Sequence, residues 1–501
     1  MTKEELVNII HNGETSEVEF KSAAGGFPGS FWDTYSAFAN TEGGIIILGV
    51  KEKNGILFAD GLTDELIVKY KKEFWSNANN PKTVNVNLLT EEDVQSLNID
   101  GGLLLVFHIP QADITQRPVY RTEQPFNGTF KRNFEGDFKC TEQEVRRMYA
   151  DADFRCSADC RILRGYTLDD IDKVSIDQYR RLFDLAKPNH PWLALDDKEL
   201  LTKLGGYRKD RVTGEEGLTL AALLMFGKWQ SIKDIECAPN FFPDYRYYPE
   251  EQTKGAERWT DRICPDGLWE SNLFQFYRRV LPKLTTVTRH PFKLDEDTRI
   301  EETTAHVALR EALINLCVHA DYTINASLNV IHYPDRIVLS NPGTLLVTRQ
   351  QYYRGGESVC RNGILQLMFS MLGKAEKAGS GVDKILLGWK DNNWSKPEIS
   401  YSFRPDKVTL TLSVKDLDTS DQASDQASDQ ASDQAIYDKI VEFCKKPKSL
   451  KEIMEFLNMK NRTYLKNTYV TPLLGKSLKM THPERVKHPD QKYVAIAVDK
   501  C

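Results

Sequence analysis

Three polar side chains recur at intervals of four in Arg310-Glu311-Ala-Leu-Ile-Asn315-Leu-Cys-Val-His319-Ala-Asp321-Tyr322. In a helix this spacing puts Glu311, Asn315 and His319 on one face, and Leu313, Ile314 and Leu316 take the other. A polar stripe on an otherwise apolar helix is either exposed or lines a site. Two later turns favour a site. Ile337-Val-Leu-Ser340-Asn341-Pro-Gly343 ends a strand in a turn, and Ala378-Gly379-Ser380-Gly381-Val382 places small residues just before a helix predicted over 382–388. Glycines there let backbone N–H groups approach a phosphate, and the helix N-terminus adds its positive dipole.

A second constellation lies near the start, in Asn12-Gly-Glu14-Thr-Ser-Glu17-Val-Glu19-Phe-Lys21. With Val18 and Phe20 facing inward, Glu17, Glu19 and Lys21 share the opposite face of a strand, and Glu14 sits on the preceding turn. Glu52 follows a second apolar strand. Two or three carboxylates on neighbouring strands can hold Mg²⁺ or Mn²⁺ through oxygen ligands. The plainer alternative is a solvated strand edge with Lys21 salt-bridged to Glu19.

These groups need elements to position them. Residues 1–150 open with a helix and alternate β-rich runs (44–50, 84–89, 102–108, 128–133) with turns. They close on a helix over 141–152, where Thr141 and Glu144 form a capping box. Residues 151–285 read as a mostly helical connector, with Ile176, Tyr179, Leu182 and Phe183 at helical spacing. Residues 286–415 mix a helix over 303–319, a hairpin (328–332 and 336–340), a helix over 363–372 and a strand over 407–414. The linker 416–435 contains SDQA four times, too polar to form a packed core. Residues 436–501 give helices over 436–445, 449–457 and 461–474, then a β wing over 477–481 and 493–498. In this last block Leu465, Val470 and Leu473 would face the core. Arg462, Tyr464, Lys466 and Asn467 would face a DNA major groove.

Composition narrows the class. The 501 residues are 41% apolar and 28% charged, which excludes a wholly disordered or fibrous chain. No apolar run approaches the roughly 20 residues of a membrane span, and the acidic start Met1-Thr-Lys-Glu-Glu predicts a protein that is not exported. Nine cysteines without zinc-like spacing suit free thiols in a reducing cytoplasm. Net charge is −6, unevenly spread: residues 436–501 hold 14 basic and 7 acidic side chains, +7, leaving −13 on the remainder. A basic nucleic-acid-binding appendage on an acidic body would produce that asymmetry.

Glu14-x-x-x-x-Glu19-Phe-Lys21, together with Ala37-Phe-Ala-Asn40-x-x-Gly43-Gly44-x-x-x-x-Gly49-Val50, resembles the Schlafen AlbA-type domain over about 150 residues, to Phe130-Lys131-Arg132 and the closing helix. The resemblance implies nucleic-acid binding, with Lys21, Lys131 and Arg132 as contacts. It also implies a metal-dependent nuclease alternative on Glu14, Glu19 and, more loosely, Glu52. The Glu311 helix and the two glycine turns, with Val359-Cys-Arg361-Asn362-Gly363, look like the gyrase–chaperone–histidine-kinase (GHKL) ATP-binding fold in the branch found beside Schlafen domains. That likeness implies Glu311 as general base, Asn315 as ligand of ATP-bound Mg²⁺, Asn341 and Gly343 facing adenine, and Gly379, Ser380 and Gly381 facing phosphates. Two positions depart from the pattern. Asn341 stands where the superfamily has Asp, and Ala320 where the branch has Arg. The last block resembles a winged helix.

The implied architecture is multidomain α+β: Schlafen AlbA-type domain, helical connector, GHKL-like α/β sandwich, linker and winged helix-turn-helix. It is similar to prokaryotic ATP-binding transcriptional regulators labelled as RecG-related, although no Walker A sequence is present. The expected function is a cytoplasmic regulator whose hold on DNA or RNA is switched by ATP. Palindromic operators would suit a homo-oligomer.

Overall fold

The computed structural model describes residues 2–53, 56–59, 61–99, 102–133, 136–153, 157–249, 259–286, 294–295, 298–299, 303–355, 359–373, 381–402, 405–414, 440–457, 470, 473, 477–481 and 492–495. They fall into two compact units, 1–415 and 416–501.

In the first unit, four strands open the chain in the order Val18–Lys21, Gly44–Leu48, Gly102–Ile109, Val94–Ile99, the first pair parallel and the others antiparallel. Strand alternation gives this sheet two apolar faces. Phe20, Ile47 and Val106 pack with Leu6 of the helix Lys3–Asn12, while Ile46, Leu48 and Phe107 pack with Phe31, Trp32 and Phe74. Phe74 stacks on Trp32 at 5.7 Å.

The Asn40-x-x-Gly43-Gly44 motif has a structural cause. Gly43 adopts φ 82° beside the Ile109 carbonyl, and a side chain on Gly44 would strike the Phe38 ring. Asn40 is buried, and its amide donates to the Val119 and Phe130 carbonyls (2.7 and 3.0 Å) and to Ser36 Oγ, while its Oδ1 accepts from Val119 N–H at 2.8 Å. One carboxamide thus ties a helix end to two distant segments. The expected strand over 84–89 forms a single bridge, Val84 to Arg121. Asn85 and Asn87 bond backbone groups with their side chains and supplant a ladder.

The connector expected over 151–285 is not separate. Its segments Pro243–Tyr247 and Asp261–Ile263 are strands of a six-stranded sheet ordered 261–263, 243–247, 328–332, 336–342, 407–413, 398–402. Pro243–Tyr247 lies parallel to Leu328–His332, and all other neighbours are antiparallel. One core runs from Leu163 to Leu412, in which Val330, Leu339 and Leu410 meet Leu309, Leu313 and Phe274. The division expected at 285/286 therefore cuts one hydrophobic layer. The helices Thr304–Val318, Gly363–Ser370 and Gly381–Lys390 and the hairpin form near their expected bounds, and Glu142–Ala152 carries the expected capping box.

In the second unit, Lys448–Ser449, Lys492–Ala495 and Leu478–Met480 form an antiparallel sheet. The helix Leu450–Phe456 is capped by Ser449 and Glu452. The linker and the helix expected over 461–474 lie almost wholly outside the described residues. Six cysteines, among them Cys317 and Cys360, are free thiols, but Cys160 is disulfide-bonded, which corrects the expectation for that residue.

Replacing Asn40 by Ala leaves several buried partners unsatisfied at roughly 1–3 kcal/mol each. We expect Asn40→Ala to lose on the order of 3 kcal/mol in urea unfolding. A loss within measurement error would contradict the assignment.

Candidate functional site

The helix Thr304–Val318 forms because Ala305, Ala308, Leu309, Ala312, Leu313 and Leu316 make a continuous buried stripe, and Thr303 caps its start. Glu311 and Asn315 lie off that stripe. Opposite them begins the helix Gly381–Lys390, so close that a Cβ on Gly381 would run into the Glu311 carboxylate. Burial raises the Glu311 pKa, and Lys384 and Arg310 oppose the shift. A carboxyl whose basicity is raised by burial is a candidate proton acceptor. Asn315 is half-buried, and its carboxamide forms no hydrogen bond among the described residues. Gly379 and Ser380 lie outside the described residues.

These features bear on a nucleoside triphosphate. A close approach at the first turn of a ten-residue helix, and an amide with no hydrogen bond among the described residues, suit phosphates and their Mg²⁺. The residues therefore fit that group.

Strand alternation puts Asn341 on the helix-facing side with Ile337 and Leu339. It is buried, and its amide donates to the Pro342 carbonyl at 3.3 Å. Gly343, at φ 122°, is pressed by the Arg361 guanidinium, which occupies the space a Cβ would need. Arg361 was not among the expected site residues. Its side chain is 4% exposed and reaches three residues. Nε and Nη2 donate to Asp151 at 3.0 and 2.8 Å, Nη1 donates to the His319 carbonyl at 2.8 Å, and Nη2 also reaches Thr344. Burial, and then this cation, push the His319 pKa down to about 4, so its imidazole is neutral at pH 7. An arginine amid apolar neighbours was the available sequence signal, since buried charge demands partners.

The acidic strand has the Lys21–Glu19 salt bridge of the plainer alternative, but the pair is largely buried rather than on a solvated edge. Glu19 takes Lys21 on one oxygen and Arg132 on the other, both at 2.9 Å. Arg132 is 2% exposed. It also pairs with Asp137 at 2.9 Å, donates to the Thr15 and Val18 carbonyls, and lies over the Phe38 ring. Lys131 is buried between Glu144 and Asp406, 3.5 Å from each. The charges of Lys21, Lys131 and Arg132 are therefore balanced inside the fold, which takes them away from an exposed phosphate-contacting surface. Glu14 Oε1 accepts from Phe20 N–H at 3.0 Å, and its pKa is raised chiefly by burial. Of Glu52 only the backbone is described, paired with Leu57. Among the described residues no three His, Cys, Asp or Glu side chains gather as a metal would require. Arg462, Tyr464, Lys466 and Asn467 lie outside the described residues.

Residues 14–141 match the family described as Schlafen, AlbA_2, and residues 325–412 match "Putative ATP-dependent DNA helicase recG C-terminal". The chain thus carries a Schlafen AlbA_2 region and, nearer its C-terminus, a RecG-related one. Between these regions, residues 146–244 match a domain of unknown function, DUF8451. The solved N-terminal domain of a RecG-related protein of Nitrosomonas europaea, titled a putative ATP-dependent DNA helicase, is 30% identical. The match covers 28% of this chain and 90% of that one, with TM-score 0.21. A crystal structure from Corynebacterium diphtheriae is 18% identical over 89% of this chain and 74% of that one, with TM-score 0.40. No curated protein matches the chain. No helix of the described residues is long and apolar enough to cross a membrane.

Removing one member of a buried ion pair costs about 3–5 kcal/mol because the other charge is stranded. Glu19→Ala should lose stability of that order in denaturant unfolding, and Glu19→Gln less. Wild-type stability in Glu19→Ala would mean that Lys21 and Arg132 do not depend on it.

Proposed function

We propose that this protein is an ATP-binding transcriptional regulator whose hold on DNA or RNA is set by nucleotide. The observation that carries the reading is the meeting of Glu311 with the glycine start of Gly381–Lys390, one turn from the Asn315 amide, which forms no hydrogen bond among the described residues. In this reading Asn315 would ligate the Mg²⁺ of a bound ATP, the start of the 381–390 helix would lie on the phosphate side, and Glu311 would serve as general base toward water, the nucleotide supplying a phosphoanhydride for hydrolysis. Support comes from two family regions in one chain, one of them of a RecG-related ATPase type.

Nucleic acid would be met first by charge. With Lys131 and Arg132 engaged internally, the N-terminal domain offers Lys69, Lys71 and Lys72 on the helix Asp64–Ala78, none of them in an ion pair among the described residues. The exposed Val68 and partly exposed Trp75 lie on the same helix. The basic second unit, with its capped helix and three-stranded sheet, would serve as a winged DNA-binding module. The nuclease alternative on Glu14 and Glu19 is the weaker one, because a metal ion would have to compete with Lys21 and Arg132 for Glu19.

Ligand binding to the native state alone stabilises it by about 2.7 kcal/mol at a hundredfold excess over Kd. ATP with Mg²⁺ should therefore raise the melting temperature, and Asn315→Ala should remove the Mg²⁺-dependent part. No shift at millimolar ATP would end the reading. Changing Lys69, Lys71 and Lys72 together to Ala should weaken binding to random-sequence duplex and flatten its salt dependence by about 0.9 per lost phosphate contact. An unchanged slope would move the contact surface elsewhere.

A further inference from the structure

The 341–344 turn, which Arg361 ties to the end of the Glu311 helix, is linked to the N-terminal domain along two routes. On one side Asp151, in the last turn of Glu142–Ala152, grips Arg361 through two oxygens and accepts from Thr344 Oγ1 at 3.3 Å. On the other, the Asp406 carbonyl accepts from Gly343 N–H at 2.9 Å. The Asp406 carboxylate, 6% exposed, takes Arg147 at 3.1 Å and has the Lys131 ammonium 3.5 Å away. Arg147 and Asp151 are one turn apart on a single helix, so that helix grasps the turn at two points.

The contacts run further in both directions. Arg361 Nη1 binds the carbonyl of His319, the residue that ends the Glu311–Asn315 helix. Lys131 is followed in its strand by Arg132, which holds Glu19 of the acidic strand. Nearly all these groups are buried or half-buried, where a shift of one charge cannot be absorbed by water.

We infer that the Asp151–Arg361 and Asp406–Arg147 pairs form a double clamp through which occupancy of the nucleotide cleft changes the nucleic-acid affinity of the N-terminal domain. The inference rests on the function proposed above and specifies its regulation. A ligand that shifts the 341–344 turn or the end of the Glu311 helix must move Arg361, and Arg361 cannot move without its carboxylate on the N-terminal helix. Both carboxylates lie outside the ligand-binding residues, so the clamp can be cut while each binding surface is kept. Spatial continuity alone does not establish coupling, so the test is energetic.

The experiment uses the full chain, a non-hydrolysable ATP analogue with Mg²⁺, and two fluorescent probes, a random-sequence DNA duplex and bulk tRNA. Probe Kd is measured by anisotropy with and without the analogue. Analogue Kd is measured by calorimetry with and without probe. In the wild type the two ratios should agree, since coupling is reciprocal, and should fall in the range of about 5–150-fold. In Asp151→Asn the ratio should collapse toward one while each ligand alone still binds. Should Asp151→Asn fail to fold by circular dichroism, the double variant Arg147→Ala/Asp406→Asn removes one whole clamp with no stranded partner, because Lys131 keeps Glu144. That variant should reduce the ratio. A full ratio in folded clamp variants overturns the clamp while leaving the proposed function standing, and a wild-type ratio of one overturns the clamp together with the nucleotide switching proposed above. Absence of analogue binding to the wild type overturns both.

Discussion

A guanidinium cannot sit in a protein interior unless every face of it is answered, and the surroundings of Arg361 are arranged by that requirement. Its partners come from three places remote in sequence: the closing helix of the N-terminal domain, the end of the Glu311 helix, and the turn after the strand Arg336–Pro342. Gly343 is glycine because the guanidinium takes the volume of a side chain and because the backbone there has positive φ. The same cation adds to the burial that keeps the His319 imidazole neutral. Conformation, charge state and domain contact at this place share one cause.

The two halves of the first unit are joined differently from the way each is built. Within each half, cohesion is apolar: an aromatic cluster around Phe31, Phe74 and Phe107 on one side, and a long shared core from Leu163 to Leu412 on the other. Between them the described contacts include ion pairs, Arg361–Asp151, Arg147–Asp406 and Arg349–Glu42 among them. Polar junctions of this kind resemble transient interfaces more than cores, and they permit relative movement. The regulation proposed above needs firm domains with an adjustable seam, and this division of labour provides both.

Much of this was legible in the sequence. The helix bearing Glu311 and Asn315, the hairpin after it and the capping box at Thr141 follow from periodicity and local hydrogen bonding, which are properties of adjacent residues. Alternation correctly turned Val18 and Phe20 inward. It could not say what would cover the other face, and there Arg132, more than a hundred residues away, converts an expected solvent edge into a nearly enclosed ion triad. Lys131 and Arg132 look like surface cations in sequence because nothing local reveals Glu144, Asp406 or Glu19 as their partners. Residues 151–285 read as helical because the two strands they add to the six-stranded sheet are short, and Leu328–His332, the outside partner of Pro243–Tyr247, lies some eighty residues further on.

That last pairing bears on how the molecule can be dissected. A fragment beginning at residue 286 would contain the whole RecG-related match, yet it would lack Pro243–Tyr247 and leave the backbone of Leu328–His332 bare along one side. Unsatisfied strand borders recruit other chains. Such a piece would tend to self-associate through that border, and any oligomer it formed would report a severed sheet and not the quaternary habit of the intact protein.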